Sequence, residues 1–110
     1  MVKVEILVGE NDKEYRILIG ENAKQNTELI KQSEPNDLWF HFEKLSSPFI
    51  ILETKGETLH KRYLNETASK LFKYKKNVKD NVIYTEVKNV KLTKTPGLVE
   101  PRNLNLIKFK

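Results

Sequence analysis

The protein has 110 residues, enough for one domain with its own core, and carries 20 basic against 15 acidic side chains, a formal net charge of +5. The sequence has no cysteine, which excludes disulfides, cysteine-ligated zinc and thiol chemistry, and two histidines 19 positions apart do not suggest a metal site. Its longest apolar run, residues 48–52, is too short to cross a bilayer, and the N-terminus has no signal-peptide core. We therefore expect one cytoplasmic domain over residues 1–110, without membrane association or cofactor.

The basic residues are concentrated in the second half of the chain. Residues 1–54 hold six basic and ten acidic side chains, whereas residues 55–110 hold 14 basic and five acidic ones. Clustered lysine and arginine favour a polyanion as partner, because they displace counterions that condense on phosphates. A lysine-rich surface that only keeps the protein soluble is the alternative.

The first third of the chain predicts a β-hairpin followed by a short helix. Apolar residues alternate over residues 2–8 and again over residues 15–19, and a turn-forming segment, residues 9–13, separates the two. Asn22 then has the position of a helix N-cap, with Gln25 reaching back to it, and the helix should end near Ser33, before Pro35.

Two strands are predicted in the middle of the chain. In residues 37–43, Leu38, Phe40 and Phe42 point to one side and Trp39 and His41 to the other. Residues 49–52 are apolar at every position, which is typical of a central strand covered on both faces.

The basic half predicts one long amphipathic helix over residues 59–76, a strand over residues 82–87, a turn at residues 94–97 and a last strand over residues 104–109. The fold class is therefore α+β: a mixed, mostly antiparallel sheet of five or six strands with one short and one long helix.

Three segments carry a family resemblance. They are Gly20-Glu21-Asn22-Ala23-Lys24-Gln25-Asn26-Thr27-Glu28-Leu29, Pro35-Asn36-Asp37-Leu38-Trp39-Phe40-His41 and the late turn Pro96-Gly97-Leu98-Val99. Together, and in this order, they resemble the NFACT-R family, the RNA-binding domain of ribosome-associated quality-control factors. The resemblance implies a non-catalytic RNA-binding module that contacts tRNA, rRNA or the ribosome, with DNA as a further possible partner.

The sequence departs from the family pattern at two places. Glu21 stands where a basic residue is usual, and Ser46-Ser47-Pro48-Phe49 replaces a Pro-Gly-Ser-His segment. Residues 39–47 are more similar to the small coiled-coil-containing NFACT-R proteins, although the sequence ends at Lys110 without a coiled coil, so we expect a stand-alone form. The resemblance does not extend to the domains that large family members use to add tails to nascent chains.

Two pairs of side chains are candidates for RNA contact. Asn22 and Asn26 lie one helical turn apart at a helix start, where amides and free N–H groups can meet a phosphate or a base edge. Capping by Asn22 and a loop contact by Asn26 are the alternative. Trp39 and His41 share a strand face that could stack unpaired bases. For Trp39 we favour a place in the core, and for His41 both interpretations stay open. The complete set of predicted nucleic-acid-binding residues is Asn22, Lys24, Asn26, Asn36, His41, Lys44, Lys70, Lys73 and Lys76.

Two other function classes remain open. The hairpin edge or the long helix could dock on a protein of a ribonucleoprotein. Asp37, Glu53 and Lys55 have the order of a metal-dependent nuclease, in which two carboxylates hold Mg²⁺ and the lysine activates water, but such a spacing arises easily by chance.

Overall fold

The computed structural model describes residues 2–110. In chain order its elements are β1 (Lys3–Val8), β2 (Glu14–Gly20), α1 (Ala23–Gln32), β3 (Leu38–Phe42), β4 (Phe49–Leu52), α2 (Lys61–Ser69), α3 (Leu71–Tyr74), β5 (Val82–Glu86), β6 (Val90–Leu92), β7 (Val99–Pro101) and β8 (Asn105–Ile107), with single 3-10 turns at Glu10–Asp12 and Val87–Asn89. The predicted α+β class is confirmed, and so are the N-terminal hairpin and the short helix.

Six strands form one antiparallel sheet in the order β1-β2-β4-β3-β5-β8. All four residues of β4 are buried, which confirms its predicted central position. A separate two-stranded hairpin, β6 with β7, was not predicted, because strands of three residues are too short to show an alternation.

Both faces of the inner strands of the sheet are covered. On one face Phe40, Phe42 and Ile50 pack against Ala68 and Leu71 of α2 and α3. On the other face, Leu29 and Ile30 of α1 and Val90 of β6 pack against strand residues. These strand residues are Trp39 of β3 and Phe49 and Ile51 of β4. The residues of β3 and β4 therefore alternate between two cores.

The long helix is shorter than predicted and is divided at one residue. Lys70 keeps helical dihedral angles, but its N–H donates to the Thr67 carbonyl oxygen, three residues back, so the turn tightens there. The Thr67 hydroxyl also donates to the Tyr63 carbonyl oxygen, a contact that bends helices. The helical segment ends at Tyr74, so Lys75 and Lys76 lie beyond the last turn.

The edge strand β1 exposes an apolar row. Val4, Ile6 and Val8 point to the open side, and Leu7 enters the core from the opposite face. The alternation in β1 correctly predicted a strand, but its more apolar face is the exposed one. No helix in the part of the chain described is long and apolar enough to span a membrane.

Candidate nucleic-acid interface

A groove runs along the start of α1. We call it the α1 groove and define it by residues 22–26 at the start of α1, Trp39, residues 41–49 of β3 and the β3–β4 loop, Lys75 after α3, and residues 96–98 of the β6–β7 turn. Three adjoining cavities of about 390, 320 and 350 Å³ occupy it, and neighbouring cavities share lining residues. The volumes lie in the range of sites for small ligands.

The first wall is the capped start of α1. The Asn22 Oδ1 atom accepts a hydrogen bond from the Gln25 N–H at 2.9 Å, which confirms the predicted cap. The Gln25 side chain reaches back one residue further than predicted, since its Oε1 accepts from the Glu21 N–H at 3.0 Å. Asn22 thus has a structural role, and it also lines the groove.

Asn26 lies in the groove with an unused hydrogen-bonding group. The residue is only 8% exposed, and its Oδ1 atom has no hydrogen-bond partner among residues 2–110. The amide lies over Gly20, where a Cβ atom would be 2.3 Å from Asn26 Oδ1. Asn26 lines two of the three cavities. The alternative considered from the sequence, in which the Asn26 side chain holds a loop, is not seen among the described residues.

The floor of the groove is made of aromatic rings. Trp39 is buried, as we favoured from the sequence, and the His41 ring stacks on it at 5.5 Å with an interplanar angle of 11°. The His41 Nδ1 atom is 2.7 Å from the Phe42 carbonyl oxygen and donates to it, so Nε2 is an acceptor in the neutral ring. Burial lowers the pKa of His41, which keeps the ring neutral at pH 7.

The β6–β7 turn closes the other wall. Gly97 packs on Ala23, and its N–H donates to the Thr27 Oγ1 atom at 2.9 Å. Leu98, next in the chain, is 58% exposed, and Leu45 on the β3–β4 loop is 38% exposed. Both leucines line the widest cavity and give it apolar rims.

Two lysines line the groove and a third lies at its start. Lys44 is exposed on the β3–β4 loop, and its backbone N–H donates to Asp80 Oδ2 at 2.9 Å. The Lys75 Nζ atom donates to the Ser46 carbonyl oxygen at 2.7 Å, at the opposite end. Lys24 is exposed on the first turn of α1. Three residues that line the groove, Leu45, Lys75 and Leu98, were missed in the sequence analysis. Of these, only Leu98 belongs to a motif that the sequence analysis had singled out, Pro96-Gly97-Leu98-Val99.

Lys70 and Lys73 are engaged with a carboxylate outside the groove. Both ammonium groups lie 3.0 Å from the Glu5 carboxylate, which also accepts a hydrogen bond from the Tyr74 hydroxyl. The Tyr74 contact and the two lysines lower the pKa of Glu5 to about 2. Part of the positive charge predicted to meet phosphate is thus compensated within the fold.

Two predicted residues stand apart from the others. Asn36 lies at the opposite end of β3 from His41, lines a different cavity beside Tyr84, and its carbonyl oxygen accepts from the Thr54 hydroxyl at 3.3 Å. Lys76 is exposed just after the end of α3. The structure therefore brings together Asn22, Asn26, His41 and Lys44, with Lys24 beside them.

The residues of the nuclease alternative each have structural partners. The buried Asp37 carboxylate accepts backbone N–H groups of Glu34 and Thr54, at 2.9 and 3.3 Å. Glu53 pairs with Arg16, and Lys55 Nζ donates to the Glu14 carbonyl oxygen. Within residues 2–110 no three acidic or histidine side chains form a group suited to a metal ion.

Known proteins resemble this chain in sequence and in fold. Coiled-coil domain-containing protein 25 from Bos taurus and from Mus musculus are each 35% identical over 91 residues, which cover 76% of this chain and 44% of theirs. The chain thus spans less than half the length of these curated relatives. The solved C-terminal part of the fibronectin/fibrinogen-binding protein from Streptococcus suis has a similar fold, with a TM-score of 0.79 at 22% identity, over 96% of this chain and 45% of that one.

The family model described as the NFACT protein RNA binding domain matches residues 3–100, which is most of the chain and includes both walls and the floor of the α1 groove. By that match, and by the resemblance of its motifs, this chain belongs to the NFACT RNA-binding domain family.

Proposed function

We propose that the protein is a non-catalytic, cytoplasmic module that binds structured RNA of the translation apparatus, tRNA or ribosomal RNA, in ribosome-associated quality control. Membership of an RNA-binding domain family supports RNA as the partner. The choice of tRNA or ribosomal RNA rests on the resemblance to quality-control factors.

The α1 groove is the observation that carries the proposal. Asn22 and Asn26 belong to the start of α1, whereas His41 and Lys44 belong to β3 and the β3–β4 loop, and all four residues line the groove. Amides, a neutral imidazole and ammonium groups are the side chains that contact phosphate, ribose and base edges in RNA complexes. The excess of basic residues in the second half of the chain adds a longer-range attraction for phosphate.

The test is a fluorescence-anisotropy titration of labelled tRNA, a ribosomal RNA hairpin and duplex DNA over a series of salt concentrations. Binding to RNA that is stronger than to DNA and falls steeply with salt is expected. Lys24→Ala should weaken binding about two- to fivefold and reduce the salt slope by about one, because one phosphate contact is lost.

Lys31→Ala is the matched control. Lys31 is exposed on the same helix and on nearly the same side, two turns and about 10 Å further from the groove. The Lys31→Ala variant should leave the affinity for RNA almost unchanged. No binding to any nucleic acid at low salt would refute the proposal and favour a protein-docking module. Cleavage of RNA that needs Mg²⁺ and is lost in Glu53→Ala would replace it with a nuclease.

A further inference from the structure

Two buried side-chain polar atoms of residues 2–110 have no hydrogen-bond partner, and both belong to residues that line the α1 groove. They are Asn26 Oδ1 and Trp39 Nε1. Folded proteins leave few such atoms, because an unpaired buried polar group costs about 1–3 kcal/mol. Their concentration at one groove, on residues that are 8% and 1% exposed, points to a surface built for a ligand rather than for the fold alone.

The groove has two chemically different ends. One end is lined by Asn22, Asn26 and Lys75, and also by Glu21, whose carboxylate lies 3.6 Å from Lys3 Nζ. This end offers amides, an ammonium group and the start of α1, where the Ala23 and Lys24 N–H groups precede the first helical hydrogen bonds. At the other end the exposed side chains of Leu45 and Leu98 flank the edge of the aromatic floor. A ligand that fits both ends has an anionic group for the N–H and ammonium donors, a hydroxyl or amino donor for the Asn26 Oδ1 acceptor beside them, and a flat apolar group at the other end.

Between the two ends lies a neutral acceptor. His41 lines both the central and the widest cavity, and its Nδ1–H is already committed to the Phe42 carbonyl oxygen. The Nε2 atom is therefore the part of the ring left to accept from a hydroxyl or an amino group of a ligand. The ribose 2′-hydroxyl is such a donor, and DNA lacks it.

We propose that the α1 groove binds one unpaired nucleotide of an RNA, with its phosphate at the Asn22–Asn26 end, its ribose at His41 and its base between Leu45 and Leu98. The inference rests on the proposed RNA binding and specifies what the RNA must offer: a nucleotide released from base stacking, in a loop, a bulge or an end. A base paired within a duplex cannot enter a concave groove, so single-stranded RNA is preferred over duplex RNA.

The fluorescence of Trp39 allows nucleotide binding in the α1 groove to be measured without a label on the protein. It is the single tryptophan of the sequence, and it lies in the floor of the groove beneath His41. We would titrate the full chain with a single-stranded RNA dodecamer of mixed sequence, the blunt duplex of the same RNA and the DNA of the same sequence. Tryptophan emission reports the groove, and anisotropy of an end label reports binding anywhere on the surface.

The variant that tests the base end is Leu98→Ser, with Leu104→Ser as its matched control. Leu98 and Leu104 are 58% and 47% exposed, so neither substitution removes a core side chain, and Leu104 is not part of the groove. Leu98→Ser should weaken binding of the single strand about five- to tenfold without changing the salt slope, since no charge is lost. Leu104→Ser should have little effect.

The expected result is a change of Trp39 emission that saturates with single-stranded RNA, is smaller with DNA and absent with duplex RNA. The inference would be overturned if single-stranded and duplex RNA bind with equal affinity, Trp39 emission does not change and Leu98→Ser has no effect on affinity. The proposed RNA binding would still stand in that case. Absence of any anisotropy change with all three nucleic acids would refute the proposed function and the inference with it.

Discussion

Gly97 lies so close to Ala23 that a Cβ atom on Gly97 would come within 2.8 Å of the Ala23 Cβ atom. This contact holds the β6–β7 turn on the start of α1, and the hydrogen bond from the Gly97 N–H to Thr27 Oγ1 reinforces it. One wall of the α1 groove therefore depends on the absence of a side chain at residue 97.

The first prediction concerns Gly97→Ala. Its φ of +80° already disfavours a side chain, and the new methyl group would in addition push the turn away from α1. Gly56→Ala is the control, because Gly56 has a φ of +75° but nothing within 4 Å of a Cβ position. In urea denaturation, Gly97→Ala should lose about 1–3 kcal/mol more free energy of unfolding than Gly56→Ala. Equal losses would show that the contact with Ala23 is not tight.

The second prediction concerns Asp80, which holds the β3–β4 loop. Burial would raise the pKa of its carboxyl group, but N–H groups of Lys44, Leu45 and Asn81 donate to it at 2.8–2.9 Å and bring the pKa below its usual value. Asp80→Asn should lower the free energy of unfolding by about 1–3 kcal/mol, measured in urea, because these charge-assisted hydrogen bonds weaken.

The same variant separates geometry from charge in RNA binding. Asp80→Asn raises the net charge by one, which by itself would strengthen RNA binding. We expect anisotropy titrations to show weaker binding instead, since the rim that carries Lys44 and Leu45 loses its anchor. Glu66→Gln, at an exposed residue of α2, supplies the same change of charge. If both variants bind RNA more tightly, the loop does not position the site.

The third prediction is a pH dependence that arises from Glu5. Its pKa of about 2 in the folded protein is below the ordinary value of 4.5, so its stabilising effect is complete above pH 4.5 and is lost as the pH falls toward 2. Because the group is partly screened by solvent, we expect Glu5→Gln to cost about 1–2 kcal/mol at pH 7. Urea denaturation between pH 7 and pH 2 should show the two stabilities converging; a constant difference would contradict this.

The fourth prediction is a pH dependence that arises from His41. Favourable contacts with the charged form lower the pKa of Glu5, whereas burial, which disfavours the charged form, lowers the pKa of His41. Because burial lowers its pKa below the ordinary 6.5, the unfolded chain binds a proton more readily than the folded one. Stability should therefore decrease as the pH falls below 6.5, by up to about 1.4 kcal/mol per pH unit from this group. The His41→Gln variant should lose this part of the slope in thermal or urea denaturation. The same slope in both proteins would place the effect at other groups.

Much of the fold followed from local patterns. The alternation in β3, the unbroken apolar residues of β4 and the N-cap at Asn22 each depend on neighbouring residues only, and all three predictions are confirmed. The orientation of β1 did not follow, because it depends on a distant contact. Glu5 contacts Lys70, Lys73 and Tyr74 on the face of the sheet where α2 and α3 pack, and Val4 and Ile6 point to the opposite, open face.

The candidate site likewise contains residues that local motifs predicted and residues whose position depends on distant contacts. Asn22, Asn26 and His41 were selected from short motifs, and the fold brings them to one groove. The exposure of Leu45 and Leu98 had no local signal, because it results from how the β6–β7 turn packs on α1. Lys70 and Lys73 had a strong local signal, yet their pairing with Glu5, more than 60 residues away, was beyond any sequence window.

The order in which the walls and the floor of the groove follow one another along the chain also has a kinetic consequence. The strands β1 to β4 lie within the first 52 residues and can pair as soon as they leave the ribosome. The wall formed by Gly97 and Leu98 emerges last, so a nascent chain carries Asn26 and His41 for about 3–11 s before a closed groove exists, given synthesis at about 5–20 residues per second. The protein thus acquires its candidate RNA-binding surface only near the completion of this segment, and a half-made chain should not compete with finished copies for RNA.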